Sequence, residues 1–272
     1  MSEDPMYSPS QLLDAYDHQL RTDAETPSAI AVSHIDEIRL VTFAGGRGFV
    51  TYPKLSRFTA ADFRRLVPAA LDHFRHDPLI DRVEWKTRGH DRTPGLIDAL
   101  EANGFIADEA ETIMIGQASD LAVHLTLPPG VSLRTVTDER DVRAMSALQD
   151  RVFGDPVSVA MADAVLRRLA RDDGMELWVA EIDGTMISAG RLEPVPGTEF
   201  AGIWGGVTAP EWRGRGIYRA LTAARARSAI ALGKTLIHSD STEFSRPILE
   251  KSGLVAVSTT TPYRWTSSAA ND

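Results

Sequence analysis

The hydrophobic pattern divides the chain into two runs whose elements come in the same order. In the first, Ser10 is expected to cap a helix reaching Arg21, because Leu12, Leu13, Tyr16 and Leu20 recur at helical spacing. Three short strand-like segments follow, residues 29–33, 37–43 and 48–52, with turns at Ile35-Asp36 and Ala44-Gly45-Gly46-Arg47. Thr59 then opens a helix with Phe63, Leu66, Val67, Ala70, Leu71 and Phe74 on one face, ending near Asp77-Pro78. A strand at 82–86, a helix at 93–103 stopped by Gly104, and a strand at 112–115 complete the run, and Pro128-Pro129-Gly130 closes it.

The second run opens with a strand at 131–136. Thr137 or Asp138 is expected to cap a helix carrying Val142, Met145, Leu148 and Val152, and a second helix is expected from Ser158 to Arg171. Strands at 176–182 and 185–192 are joined by Asp183-Gly184, the strongest short-range hairpin signal in the chain. A strand at 200–207 leads into a segment rich in Arg and Gly. That segment opens a helix to about Leu232, with Ile217, Ala220, Leu221, Ala224, Ser228 and Ala231 on one face. A strand at 235–238, a helix from Arg246 to Lys251 stopped by Gly253, and a strand from Val255 finish the chain. The two runs end alike: residues 99–105 can be laid over 248–254, and the same offset carries Thr112 onto Thr261. The pattern predicts an α+β fold of two tandem units, 1–127 and 128–272, the first having lost parts.

Composition narrows the classes of function. Across 272 residues, 43% hydrophobic and 25% charged residues are ordinary for a soluble globular protein. No apolar run approaches the roughly 20 residues of a membrane helix, and the start Met1-Ser2-Glu3-Asp4 has neither the basic nor the apolar region of a signal peptide. A cytoplasmic location without a membrane partner is expected. The chain has no Cys, which excludes disulfides, thiolate metal sites and a cysteine nucleophile; no metal is expected. The net charge of −9 belongs to the first part: residues 1–125 hold 12 Lys/Arg against 20 Asp/Glu, and the remainder 17 against 18. Neither part offers the net basic face that a nucleic-acid partner requires.

Chemistry concentrates between Gly205 and Leu221, where a strand, a short Pro-containing loop, a glycine turn and a helix start follow one another. The first N–H groups of a helix have no intrahelical acceptors, and the macrodipole adds partial positive charge, so a pyrophosphate suits this place. Gly214 and Gly216 remove the Cβ atoms that would hold phosphates away, while Arg213 and Arg215 offer charge-assisted contacts. Five arginines from Arg213 to Arg227 suit a small polyanion, although a solvated helix face accounts for some of them. A lone Gly-x-Gly more often marks a tight turn; the surrounding residues change that balance.

The stretch resembles the signature Arg/Gln-x-x-Gly-x-Gly/Ala of the GCN5-related N-acetyltransferase (GNAT) superfamily, with Arg213 in the first place and Gly216 in the fourth. The preceding strand ends Gly-Val, Pro-Glu comes before the loop and Ala-Leu after it, as in that superfamily, and the resemblance covers roughly residues 131–265. It implies two units, each a mixed, mainly antiparallel sheet flanked by helices. It also implies an N-acyltransferase that moves an acetyl or other small acyl group from acetyl-CoA or another acyl-CoA to a small-molecule or peptide amine. By the same resemblance, Gly206, Val207 and Thr208 offer backbone groups to the pantetheine arm and acyl carbonyl. Amides of Arg215, Gly216, Ile217 and Tyr218, with Arg219 behind them, take the pyrophosphate, and Thr242 stands where an Asn facing pantetheine is usual.

Three departures bear on activity. Tyr218 replaces a small residue, so its side chain must be held away from the pyrophosphate. Leu249 stands where a tyrosine often protonates the leaving thiolate, with Tyr263 and Ser245 as substitutes only by default; Ser245 reads more simply as a helix N-cap. The usual position of an acidic base falls near Ala201, leaving Glu199, two residues earlier on the same face, as a fallback. His238 and Asp240 alternate along one strand and point to one side, a possible proton relay against the plainer reading of surface residues. A catalytically inactive CoA-binding regulatory or scaffold protein therefore stays open as the alternative. Rossmann and Walker loops need fingerprints that do not occur. The first unit, with Pro53-Lys54-Leu55-Ser56 after its third strand, has no such loop and is expected to bind no CoA.

Overall fold

Asp183 and Gly184 both take positive φ, 48° and 75°, as a type I′ turn requires, so the hairpin anticipated from that dipeptide forms with the twist its strands need. The computed structural model describes residues 7–267; the Met1–Asp4 start, on which location was argued, lies outside them. No described helix is long and apolar enough to cross a membrane.

The first half supplies α1 (Pro9–Gln19), β1 (Ala31–Ile35), β2 (Ile38–Phe43), β3 (Arg47–Thr51), α2 (Ala60–Arg75), β4 (Arg82–Arg88), α3 (Leu96–Ala102), β5 (Ile106–Ala107) and β6 (Glu111–Gln117). Ser8, not Ser10, caps α1: its hydroxyl accepts from Gln11 N while the Gln11 side chain accepts from Ser8 N at 2.8 Å, a reciprocal box that Ser10 cannot form. Helix α3 is shorter than the expected 93–103 because Gly95, at φ 80°, sets its start. The second half supplies α4 (Ala118–Leu121), β7 (Ser132–Val136), α5 (Glu139–Phe153), α6 (Val159–Leu169), β8 (Glu176–Ile182), β9 (Thr185–Pro194), β10 (Phe200–Thr208), α7 (Ile217–Ala231), β11 (Leu236–Ser241), α8 (Arg246–Glu250) and β12 (Val255–Thr266). Asp138 caps α5 and Ser158 caps α6.

These elements form two compact units, and strand pairing rather than chain order decides membership. Met114–Ala256 makes the second unit, while the chain from Val257 joins the first. The division therefore differs from a cut between 127 and 128: β12 pairs antiparallel with β4, as Tyr263 opposite Trp85 shows, and brings residues after 256 into the first unit.

In the first unit β1, β2 and β3 are antiparallel, and β4 lies parallel to β3. One side of α2, with Phe63, Leu66, Leu71 and Phe74 fully buried, packs on Leu40, Val50 and Trp85. Thr59 caps that helix in a box with Asp62, whose carboxylate accepts from the Thr59 N–H at 2.8 Å and its hydroxyl at 2.7 Å. Register between β3 and β4 ends at Val50 opposite Trp85. Just beyond it lie buried ion pairs: Arg88 to Glu25 at 2.6 Å, Arg21 to Asp91 at 2.8 Å and Arg21 to Asp17 at 3.0 Å. Burial pushes the Glu25 carboxyl up, but the charges of Arg88 and Lys86 and the bonds from Thr51 and Arg88 outweigh it and hold it at about 2.

The second unit repeats that plan. Strands β7 to β10 are antiparallel and β11 lies parallel to β10. Leu192, Ala201, Ile203 and Ile237 face α7, whereas Leu177, Val179, Ala189 and Val207 face Val142, Met145 and Leu148 of α5. Helix α7 is not the one-faced helix expected. Residues Ala220 to Ala226 are all buried while Ser228 is half-buried and Ala231 exposed, since its run of Ala and Thr lets neighbours approach on several sides.

Candidate active site

The ladder between β9 and β10 slips between Trp204 and Val207, so that Gly205 and Gly206 stand against Gly190 alone. Gly205 takes φ 58°, and its carbonyl accepts from Gln149 Nε2 at 2.6 Å, which pins the bulge to α5. Beyond it the Ser188 hydroxyl donates to Val207 O at 2.6 Å. On its other edge β10 is in register with β11 for three pairs, the last being Gly202 opposite His238. That register does not continue to Gly206, Val207 and Thr208, so β11 does not take up their backbone groups on this edge.

A short 3-10 turn at Pro210–Trp212 carries the chain into the glycine segment. Gly214 and Gly216 take φ 75° and 78°, and a Cβ on either would meet nothing within 4 Å, so the backbone lies open to whatever rests on it. Gly216 is the N-cap of α7, which has neither a side-chain cap nor an acidic residue in its first turn. The first intrahelical bond runs from Ala220 N to Gly216 O at 3.0 Å, leaving the N–H groups of Ile217, Tyr218 and Arg219 unspent by the helix. At α2, by contrast, the Asp62 carboxylate already serves the helix start.

The arginines divide their tasks. Arg213 Nε donates back to Thr208 O at 3.2 Å and ties the loop to the end of β10. Arg215 stacks on Trp212, 4.6 Å from its ring centre, and Arg219 is exposed. Tyr218 turns inward beneath the bulge: a Cβ on Gly206 would come within 2.8 Å of its Cε2 and hydroxyl. That answers how a large residue is accommodated in a place where a small one is usual.

The candidate proton-transfer residues separate. His238 sits between two aromatic edges, 5.7 Å from the Phe200 ring centre and 5.2 Å from that of Trp204, at the last paired row before β10 and β11 part. Asp240 follows two residues on and is half-buried. Glu199 lies at the start of β10, where its carbonyl accepts from Thr235 N and Leu236 N and its carboxylate from the Thr235 hydroxyl at 3.3 Å. That places it some six to seven residues, about 20–23 Å of strand, from the bulge. Glu193, which the sequence did not single out, stands opposite Gly202 in the row of His238, bound by Arg191 at 3.2 Å and Arg168 at 3.5 Å.

Thr242 uses its carbonyl to accept from Arg246 N at 3.0 Å, and its hydroxyl lies 3.4 Å from Ser245 Oγ. Ser245 is not a side-chain cap: its own φ and ψ, −85° and −31°, are already helical. Leu249 is 1% exposed within the core of Ile237 and Leu254, and Tyr263 is buried in the first unit. Trp178 donates its indole N–H to Glu176 at 2.7 Å on the α7 side. A cavity of about 550 Å³ adjoins the loop through Trp212, lined by Leu148, Val152, Ile182, Met186 and Pro210 among others and by none of the loop glycines.

A bulged strand, an uncapped helix start behind open glycines and a parting parallel pair define a class. Residues 142–253 match the model of the acetyltransferase (GNAT) family, and the second unit carries a domain of that family. In structure the chain is similar to a GCN5-related N-acetyltransferase from Kribbella flavida, with TM-score 0.70 and 15% identity over 95% of this chain and 96% of that one. It is also similar to a GCN5-related N-acetyltransferase from Sphaerobacter thermophilus, with TM-score 0.64 and 15% identity over 96% and 94%. A third likeness is to a tandem GNAT protein from the clavulanic acid biosynthesis pathway, with TM-score 0.61 and 15% identity over 94% and 95%. At such identities these likenesses establish the fold. Among curated proteins no relative is found.

Proposed function

We propose that the second unit is an acyl-CoA-dependent N-acyltransferase that moves an acetyl or other small acyl group to a small-molecule or peptide amine. The observation that carries the reading is the start of α7, where backbone N–H groups, open glycines and exposed arginines converge with no carboxylate of the helix's own to satisfy them. In this reading Gly214 to Arg219 hold the pyrophosphate, and Gly206 to Thr208 hold the pantetheine arm and polarise the acyl carbonyl through backbone N–H groups. The first unit binds no CoA, because α2 is capped by its own carboxylate and the end of the β3/β4 register is filled by ion pairs.

An amine with pKa near 10.4 is charged at pH 7, and freeing its lone pair costs about 4–5 kcal/mol. His238, at the root of the parting strands, with Asp240 beyond it, is the path we assign for that proton. Acyl transfer is direct, since the chain has no Cys and no motif marking an activated serine to carry the acyl group. The core position of Leu249 favours a second reading, a CoA-binding regulator without turnover. A thermal-shift screen with acetyl-CoA, longer acyl-CoAs and free CoA tests the cofactor assignment, and thiol release over a panel of amines separates the two readings. No shift with any of these ligands would sink both.

A further inference from the structure

Two side chains behind the bulge are explained neither by the cofactor cradle nor by the helix pattern. Tyr218 brings its hydroxyl oxygen within 2.8 Å of where a Cβ on Gly206 would be, so glycine at 206 is what admits the phenol. Arg225, two turns along α7, is 1% exposed. It donates to Arg191 O at 3.2 Å, Thr222 Oγ1 at 3.2 Å and Leu221 O at 3.4 Å, and the Tyr218 hydroxyl is a further electrostatic partner. Every one of these acceptors is neutral. Opposite the bulge, a Cβ on Gly190 would stand 2.6 Å from the Arg225 NH1, so that position too is kept clear. A buried cation facing only neutral groups is costly, and the core around it is mainly Ala, Ile and Leu, which have no need of it.

Chemistry supplies a reason. A guanidinium only donates, so toward Tyr218 it can engage only a lone pair of the phenol oxygen, and the phenol proton is left to be given elsewhere. The phenol oxygen faces the bulge at Gly206. We propose that Tyr218 is the group that protonates the departing CoA sulfur, serving from α7 where Leu249 on α8 has nothing to give, and that Arg225 holds the phenol in place and stabilises the phenolate left behind. The assignment rests on the acyl-CoA reading above. As the amine nitrogen bonds to the thioester carbonyl carbon, the C–S bond breaks and sulfur leaves with its electron pair and takes the Tyr218 proton. The proton shed by the amine leaves through the base path, and water returns one to the phenolate.

The test compares CoA with desulfo-CoA, in which hydrogen replaces the thiol, on the full chain and on Tyr218→Phe, which keeps the ring over Gly206. Calorimetry should show the unaltered protein preferring CoA about tenfold, the worth of one hydrogen bond, and Tyr218→Phe binding both ligands alike. Acetyl transfer in a single turnover should slow by roughly a hundredfold in Tyr218→Phe with acetyl-CoA affinity kept. Arg225→Met should slow transfer only while Tyr218 is present, so that the double variant is no slower than Tyr218→Phe, a coupling that a merely structural arginine would not produce. Equal binding of the two ligands by the unaltered protein, or a preference that survives Tyr218→Phe, would overturn the assignment while leaving the acyl-CoA reading standing. Binding of neither ligand would overturn both.

Discussion

Gly216→Asp tests the cofactor cradle at its most exposed point. A Cβ there meets nothing within 4 Å, so the new side chain meets no steric obstacle. The φ of 78° disfavours an L residue by about 1–2 kcal/mol, with Asp among the better tolerated. Against that, a carboxylate at a bare helix start is favoured by about 0.3–1 kcal/mol, so the free protein should still fold, with a loss of stability below about 2 kcal/mol. Binding is another matter. A unit charge about 5 Å from a phosphate charge is opposed by roughly 1 kcal/mol at the dielectric of water and about 3 kcal/mol at an effective dielectric near 20. Affinity for acetyl-CoA should therefore fall between about fivefold and 150-fold. Gly216→Ala carries the same backbone strain without the charge and serves as the reference. Calorimetry at low and high salt should find the gap between the Asp and Ala variants shrinking as screening shortens the field. If the two folded variants bind acetyl-CoA equally at low salt, the pyrophosphate does not rest on this helix start.

Three further outcomes are expected. Leu249→Tyr, which the family pattern suggests as a restored acid, should instead overpack the core of Ile237 and Leu254 and cost about 1–3 kcal/mol in denaturant unfolding, with no gain in thiol release; a faster, equally stable variant would contradict the placement of Leu249. Glu25→Gln should destabilise the first unit by about 3 kcal/mol at neutral pH, because it strands Arg88. The folded carboxyl titrates at about 2 against an ordinary 4.5, so its stabilisation is full above 4.5 and is lost as pH falls towards 2. Unfolding curves across that window should converge for the two proteins, and a gap that ignores pH would refute the ion-pair account. His238→Gln should lower turnover by roughly ten- to a hundredfold without changing acetyl-CoA affinity, and unchanged turnover in steady-state assays would remove His238 from the proton path.

Local patterns carried the elements. Period-two and period-3.6 hydrophobicity, the Asp183-Gly184 turn and the caps at Thr59 and Ser158 depend on residues a few places apart and are present, with Asp138 taking the cap left open between it and Thr137, and with α7 buried on several sides instead of one. The segment from Arg213 to Arg219 was legible for the same reason, since a glycine turn and the helix start behind it form one continuous stretch. What escaped the sequence is set by contacts between distant residues. The sequence shows a leucine at 249 but not that it fills a core, and it shows a tyrosine at 218 but not that the phenol lies under Gly206 beside a buried Arg225. Pairing across the sheet, and not chain order, brings β12 to β4, sets Glu193 in the row of Gly202 and His238, and parts β10 from β11 after three pairs. Such register is chosen by burial summed over whole strands, and a short window of sequence contains too little of that sum to determine it.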